Sequence, residues 1–231
     1  MKGLICVIFF FVHGLRRVHT ELIATPNKRQ TTNDETDVPL EPNCSQPICL
    51  GPLSQIYCSG KLIHATWMFG MQETCPGNMM RKSPELILEL FTNLTYPLKR
   101  EQFQKFCGEN FANISYLKQA TLEDWTEEPE NIRRLQNTGK FARKLNELWK
   151  VLAREFVEQV HKTPELFPIL PVSNAFIVPG GSFQIYFYWD SYWINKGLLF
   201  SNMSTTVRQI LENLASVVRF HGFIPNSGSV Q

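Results

Sequence analysis

Apolar residues recur at three- and four-residue steps between Lys140 and His161, which is the spacing of one face of an α-helix. Charged residues fill the positions between them, and Pro164 and Pro168 then end the pattern. The sequence therefore predicts one long amphipathic helix whose apolar face packs into the core. That face consists of Phe141, Leu145, Leu148, Leu152, Phe156 and Val160.

Two further helices are predicted after Asp190. The first begins at Ser191, and the second spans residues 205–220 and is followed by Gly222, where a helix C-terminal glycine is expected. Because residues 201–204 make a short connection, the two helices are expected to lie antiparallel. The turn at residues 223–228 then falls at the same end of this hairpin as Asp190. The inward positions predicted for the second helix are Val207, Ile210, Leu211, Leu214, Val217 and Val218.

Two more helices are predicted nearer the N-terminus. Leu62, Thr66 and Phe69 are spaced as one helical face. Ser83-Pro84-Glu85 is typical of a helix start, with a capping hydroxyl, a proline at the first helical position and an acid in the first turn.

The composition excludes some classes of function. With 231 residues, 43% of them hydrophobic and 19% charged, the chain is globular and forms one large or two small domains. A net charge of +2 gives no electrostatic basis for binding nucleic acid. The cysteine spacings match no zinc pattern, so no metal site is predicted.

The first 24 residues have the features of a secretory signal peptide. Lys2 supplies a positive start, and residues 4–12 are apolar but too short to span a bilayer. Residues 25–48 are polar and proline-containing and are predicted to be a flexible N-terminus. Residues 49–231 are the predicted folded part. The chain is expected to be secreted, and no transmembrane helix is predicted; the alternative is an uncleaved anchor.

In a secreted chain, cysteines are expected to form disulfides and asparagine sequons are expected to be glycosylated. Five cysteines remain beyond Cys6, so one or two disulfides are expected and one thiol is left over, with the pairing open. Asn-x-Ser/Thr sequons make glycosylation of at least one site expected. The sequons are Asn43, Asn93, Asn113 and Asn202.

The stretch from Pro179 to Trp193 carries the candidate chemistry, since seven of its fifteen residues are Phe, Tyr or Trp. Five of these surround one carboxylate, Asp190. Aromatic faces cover the C–H face of a sugar, and a carboxylate accepts hydrogen bonds from its hydroxyls. A buried strand with a tight Gly-Gly turn is the alternative. Asp190 also has a structural alternative, which is to cap the helix that begins at Ser191.

A second acidic segment, residues 122–129, is interpreted as a solvated turn rather than as a catalytic pair of carboxylates. Nothing in its sequence would bury these groups or shift their pKa values.

The ordered string Pro-Gly-Gly-x-Phe-x-x-x-x-x-Trp-Asp-x-Tyr, residues 179–192, resembles the signature of the trehalases. Those glycosidases split α,α-trehalose into two glucose molecules. Similar stretches flank it at residues 54–58, 145–150, 176–178 and 222–226. The resemblance covers roughly residues 49 to 231.

The resemblance implies an all-α chain that forms part of an (α/α)6 toroid, truncated relative to the family. It also implies an inverting mechanism with two carboxyl groups about 6.5–9.5 Å apart and no cofactor. The family's acid and base are expected downstream of residue 231, so no catalytic residue is identified here. Trehalose is the implied substrate. The substrate-binding residues implied are Phe183, Trp189, Asp190 and Asn226, with Ser182 at the position of a family arginine.

The chain departs from the family pattern at four positions. Ser182 replaces an arginine, Ile185 replaces a glutamate and Phe187 replaces a tyrosine. Ser229, three places after Asn226, replaces a second arginine. Losing the first two together is interpreted as a coupled loss, since either one left unpaired in a pocket is unfavourable. Two hypotheses follow: an incomplete trehalase, or a non-catalytic secreted glycoprotein that binds a sugar or a partner. The chain alone is expected to be inactive and to expose apolar helix faces.

Overall fold

Helices dominate residues 51–71, 75–135 and 139–230, which a computed structural model describes. The helices are α1 (Gly51–Tyr57), α2 (Lys61–Phe69), α3 (Pro84–Thr92), α4 (Arg100–Asn110), α5 (Glu130–Arg133), α6 (Gly139–Leu152), α7 (Glu158–Lys162), α8 (Tyr188–Phe200) and α9 (Ser204–His221). A 3-10 helix spans Pro164–Leu166. The predicted helical class is confirmed, whereas the predicted signal peptide and residues 25–48 lie outside the described residues.

Two small antiparallel sheets lie among these helices, and the all-α prediction missed them. One sheet pairs β1 (Met79–Met80) with β2 (Phe111–Ala112). The other has the order β3 (Leu117–Gln119), β4 (Ala153–Phe156), β5 (Phe176–Ile177). Strands of two to four residues are too short to show an alternating pattern in the sequence.

The predicted helix over residues 140–161 is wrong in its second half. Helix α6 ends at Leu152, β4 follows at once, and α7 begins only at Glu158. The register of β4 places Ala153 opposite Ile177 and Arg154 opposite both Phe176 and Gln119. Partners distant in the sequence thus hold an extended segment that the local periodicity assigned to a helix.

The structure confirms the predicted helical hairpin, the predicted end of α9 and the predicted start of α3. Helices α8 and α9 contact each other across a three-residue connection, and Gly222 caps α9 in the left-handed conformation with φ 78°. At α3, the Ser83 hydroxyl accepts a hydrogen bond from the Leu86 N–H at 3.4 Å, and Pro84 takes the first helical position. Leu211 and Val218 differ from the prediction, because both are exposed.

The buried residues form two clusters. The first holds β4, β5 and the inward faces of α8 and α9, with Phe176, Val178 and Leu198 almost fully buried. The second holds α1 to α4 around Phe103, and it contains the disulfide between Cys75 and Cys107. Cys58 is disulfide-bonded as well, so the expected one or two disulfides are confirmed. Each fully buried Phe or Leu contributes about 1.5–3 kcal/mol.

The apolar face of α6 is exposed, contrary to the prediction that it packs into the core. Phe141 is 65% exposed, and Leu145 and Leu148 are each close to half exposed. The helix instead buries Ala142 and Asn146. The Asn146 amide donates hydrogen bonds to the carbonyls of Thr126 and Glu127, which fixes the opposite side of α6 against the acidic segment. Helix α6 therefore has the kind of exposed apolar face that was expected of the chain alone.

The chain is expected to self-associate and to bind the dye ANS through this face, because contiguous exposed apolar patches are rare on monomeric proteins. The double variant Phe141→Gln/Leu145→Gln should reduce both effects while changing the free energy of unfolding by no more than about 0.5 kcal/mol. Sedimentation velocity and ANS fluorescence measure them. Lys144→Gln is the matched control on the same helix. A wild-type monomer that binds no dye would contradict the prediction.

Candidate functional site

A tight turn at Gly180–Phe183 begins the candidate site. The Phe183 N–H donates to the Gly180 carbonyl at 3.0 Å. Gly180 and Gly181 have φ values of 101° and 60°, a left-handed region that residues with a Cβ rarely adopt. The turn presents Ser182 and Phe183 to solvent. The predicted Gly-Gly turn is therefore present. The buried strand that was predicted with it is not found, and α8 begins five residues after Phe183.

Asp190 does not cap α8, so that prediction is wrong. The helix begins at Tyr188, its N-cap residue is Phe187, and no side chain caps it. Asp190 instead lies in the first helical turn, half-buried, and forms no hydrogen bond or ion pair with another described residue. A carboxylate in that turn is stabilised by the positive end of the helix dipole. Its oxygens remain available to a ligand.

The start of α8 and the turn around Asn226, which the sequence predicted at one end of the helical hairpin, are joined by backbone hydrogen bonds. The Tyr188 N–H donates to the Asn226 carbonyl at 2.9 Å, and Phe187 and Ser227 form an antiparallel bridge. The Gly228 N–H donates to the Tyr186 carbonyl at 3.0 Å. The predicted closeness of the Asn226 turn to the first turn of α8 is therefore confirmed. That the two side chains bind one ligand remains a prediction.

The buried side chain of Tyr186 packs against the junction between α8 and the Asn226 turn. Its hydroxyl donates to the Leu170 carbonyl at 2.9 Å, and its ring is buried beside Gly228. Burial raises the pKa of Tyr186 well above its usual range, so the phenol stays neutral. The residue therefore supports the site mechanically and carries no charge.

The candidate sugar-binding residues form an open surface. Phe183 is 55% exposed and Trp189 is 65% exposed, and Ser182 and Asn226 are also exposed. The Phe183 ring contacts the Phe187 ring edge to face, with 5.4 Å between centroids. The segments that meet at this junction thus carry two exposed rings, an exposed amide and a half-buried carboxylate. Such a surface can cover the apolar face of a sugar and bind its hydroxyls.

The sequence profile of the family described as Trehalase matches residues 69–230. The chain belongs to the trehalase family. It is similar to trehalase of Tenebrio molitor, with 38% identity over 195 residues that make up 80% of this chain and 35% of the relative. It is also similar to trehalase of Homo sapiens, with 34% identity over 187 residues, 77% of this chain and 32% of the relative. The chain spans about a third of the length of these relatives.

Three of the four departures from the trehalase pattern lie in different environments. Ser182 is exposed in the glycine turn, whereas Ile185 is buried in the first core cluster. Ser229 pairs with Ile169 in an isolated bridge. A glutamate at position 185 would therefore place a carboxylate in an apolar core, unless a partner reached it.

The acidic segment before α6 is not a simple solvated turn, as the sequence had suggested. Asp124 accepts hydrogen bonds from the Thr206 N–H and hydroxyl, in the first turn of α9. It thus supplies the cap that Met203, the N-cap residue of that helix, lacks. Glu128 pairs with Arg143 at 2.6 Å. The sequence carried no signal for the Asp124 contact, because 82 residues separate its two partners.

Close packing between α6 and α8 was also missed. The Trp149 indole N–H donates to the Ser201 hydroxyl at 3.1 Å. A Cβ at Gly197 would lie only 2.7 Å from the Trp149 ring. A glycine inside a predicted helix is the signal that was available for this contact.

The described sequons are placed where an oligosaccharide can attach. Asn93, Asn113 and Asn202 are exposed, while Asn43 lies outside the described residues. The Asn202 side-chain oxygen accepts a hydrogen bond from Asn131 at 3.4 Å. Glycosylation of these asparagines remains a prediction.

No helix in the described ranges has the length and apolarity needed to cross a membrane. Within the same ranges, no group of three or more His, Cys, Asp or Glu side chains has the arrangement of a metal site.

Proposed function

We propose that this chain carries part of the sugar-binding site of a trehalase-type glycosidase that hydrolyses α,α-trehalose to two glucose molecules. The observation that carries the proposal is the hydrogen bond from the Tyr188 N–H to the Asn226 carbonyl. It joins the two stretches that hold the family's substrate-binding positions. Family membership supports the substrate class, because the relatives are described as trehalases.

The proposed contacts follow from the side chains at this junction. Trp189 and Phe183 cover the C–H face of a glucose ring. Asp190 accepts hydrogen bonds from sugar hydroxyls, and the Asn226 amide both donates and accepts. Ser182 contributes a hydroxyl where a family arginine would bring a charged fork. No cofactor or metal takes part in this proposal.

The complete enzyme is proposed to be an (α/α)6 toroid that inverts the configuration at the reacting carbon. Inversion needs one carboxyl group as acid and a second to activate water on the opposite face. Asp190 is the one carboxylate between Pro179 and Trp193. No residue of this chain is assigned as the acid or the base, and the isolated chain is proposed to be inactive.

Purified chain from a host without trehalase should release no glucose from α,α-trehalose. The wild-type chain and Asp190→Ala should both match a protein-free blank in an enzymatic glucose assay. Glucose release that Asp190→Ala abolishes would show a complete catalytic site within these residues. It would therefore overturn the proposed inactivity while supporting the proposed substrate.

Sugar binding can be tested without turnover. Trehalose titrated into the chain by calorimetry should bind, and Trp189→Ala should weaken that binding about fivefold, since an aromatic contact contributes about 1 kcal/mol. Trp67→Ala is the matched control, because Trp67 is 60% exposed on a different helix. Equal effects of the two substitutions would argue against the proposed site.

The second candidate function is that of a non-catalytic secreted glycoprotein that binds a sugar or a protein partner. It is favoured by Ser182 and Ser229, which replace two family arginines. Trehalose binding without glucose release is expected from both candidates. Absence of trehalose binding would leave only the partner-binding form of the second candidate.

Secretion through a signal peptide at residues 1–24 is part of this proposal. Expression in a secretory cell should place the chain in the medium with N-linked sugar on at least one sequon. A mass shift on treatment with a glycan-removing amidase measures it, and a chain retained inside the cell without sugar would contradict it.

A further inference from the structure

A cavity beside α2 lies apart from the proposed sugar site. Its volume is about 510 Å³, within the range of about 300–1,000 Å³ that small-molecule sites occupy. None of its lining residues belongs to the glycine turn, to α8 or to the Asn226 turn. It is lined by Gly60, Lys61, His64, Ala65, Met68, Phe91, Tyr96, Pro97 and Leu98.

The cavity has an apolar floor and a partly open rim. Ala65 and Phe91, both almost fully buried, belong to the second core cluster and form the floor. Met68 and Tyr96 are each more than half exposed. Lys61, His64, Ala65 and Met68 recur at helical spacing, so one face of α2 supplies one whole wall. The apolar body of a ligand would lie between this wall and the segment from Tyr96 to Leu98.

The charge at the rim of the cavity determines which head group a ligand can carry. Lys61 is exposed and forms no ion pair with any described residue, and no Asp or Glu of the described ranges lines the cavity. His64, one turn along α2, adds a ring nitrogen that can donate a hydrogen bond. A cationic ligand would meet Lys61 with no compensating carboxylate. An anionic head near Lys61 would instead gain an attractive contact while staying in reach of water.

We propose that this cavity binds a free medium-chain carboxylate, with its hydrocarbon chain on Ala65 and Phe91 and its carboxylate beside Lys61. This role goes beyond sugar hydrolysis, because the site shares no residue with the proposed sugar-binding surface. Neither proposal depends on the other.

Three ligands of equal chain length test the proposal by calorimetry on the intact chain: decanoate, decanol and decylammonium. Decanoate should bind saturably and most tightly. Lys61→Gln should weaken decanoate about fivefold and leave decanol unchanged, because it removes the charge and keeps most of the stem. Lys196→Gln is the matched control, since Lys196 is an exposed lysine beside the rings of Tyr192 and Trp193 on α8.

A second variant locates the hydrocarbon chain. Tyr96→Ser removes an exposed part of the wall and should weaken all three ligands alike. The proposal is overturned if decanoate does not saturate, if decylammonium binds as tightly as decanoate, or if Lys196→Gln weakens decanoate as much as Lys61→Gln. It is also overturned if Tyr96→Ser leaves decanoate binding unchanged. The exposed face of α6 would then account for any uptake of these ligands.

Discussion

Replacing Gly228 by alanine should lower the free energy of unfolding by about 3 kcal/mol. A Cβ at this position would lie 2.3 Å from the Tyr186 ring, far inside van der Waals contact. The ring cannot easily move away, because it is buried and its hydroxyl is bound to the Leu170 carbonyl. The backbone is also held, since the Leu170 N–H donates to the Gly228 carbonyl at 2.7 Å. Overpacking of this kind typically costs about 1–3 kcal/mol.

Urea unfolding of the purified chain measures this change. The control is Gly108→Ala in α4, where no described atom outside the neighbouring residues and backbone of the same helix lies within 4 Å of the added Cβ. It should stabilise the chain by up to about 1 kcal/mol. Gly228 does not have a positive φ, so the cost is steric and depends on the ring. Gly228→Ala should therefore cost much less in a Tyr186→Ala background. An equal cost in both backgrounds would contradict the proposed clash.

Replacing Ile185 by glutamate should cost about 3 kcal/mol at pH 7. Ile185 is buried in the first core cluster, two residues after the Gly180–Phe183 turn, where the trehalase signature has an acid. Burial raises the pKa of such a carboxyl above its unfolded value of about 4.3, since the charged form is poorly solvated there. The folded state then binds more protons than the unfolded state above that value. The cost should therefore grow as the pH rises from about 4 to 7.

The controls separate charge from size and position. Ile185→Val should cost about 1 kcal/mol at every pH, and Ser182→Arg on the exposed turn should change the stability by less than about 0.5 kcal/mol. If the family's arginine and glutamate form a pair, the double variant Ser182→Arg/Ile185→Glu should recover at least about 1 kcal/mol. Denaturant midpoints between pH 4 and 7 measure all four. A cost for Ile185→Glu that does not change with pH would rule out a buried carboxylate.

The sequence predicted those features that local chemistry specifies. Ser83 and Pro84 begin α3 as expected, and Gly222 ends α9. Each of these depends on backbone groups within four residues of the one that decides it. The ordered signature from Pro179 to Tyr192 likewise indicated the trehalase family, because it fixes both residue types and their order.

The sequence failed where a distant segment decides the structure. The apolar repeat of Lys140–His161 continues through Ala153, yet pairing with β3 and β5 turns residues 153–156 into a strand. The same repeat gave no indication that Phe141 faces solvent. That outcome depends on Asn146 and Trp149, which bind the acidic segment and α8 on the other side of α6.

By itself, the sequence determined the helical class, the start of α3, the end of α9 and the family of this protein. Helix caps and signature motifs involve neighbouring residues, so their chemistry can be recognised along the chain. Only the tertiary structure decided which apolar faces are buried, that Asp190 lies inside the first turn of α8, and that Asp124 caps α9. Each of these depends on contacts between residues far apart in the sequence, whose free energies local periodicity does not contain.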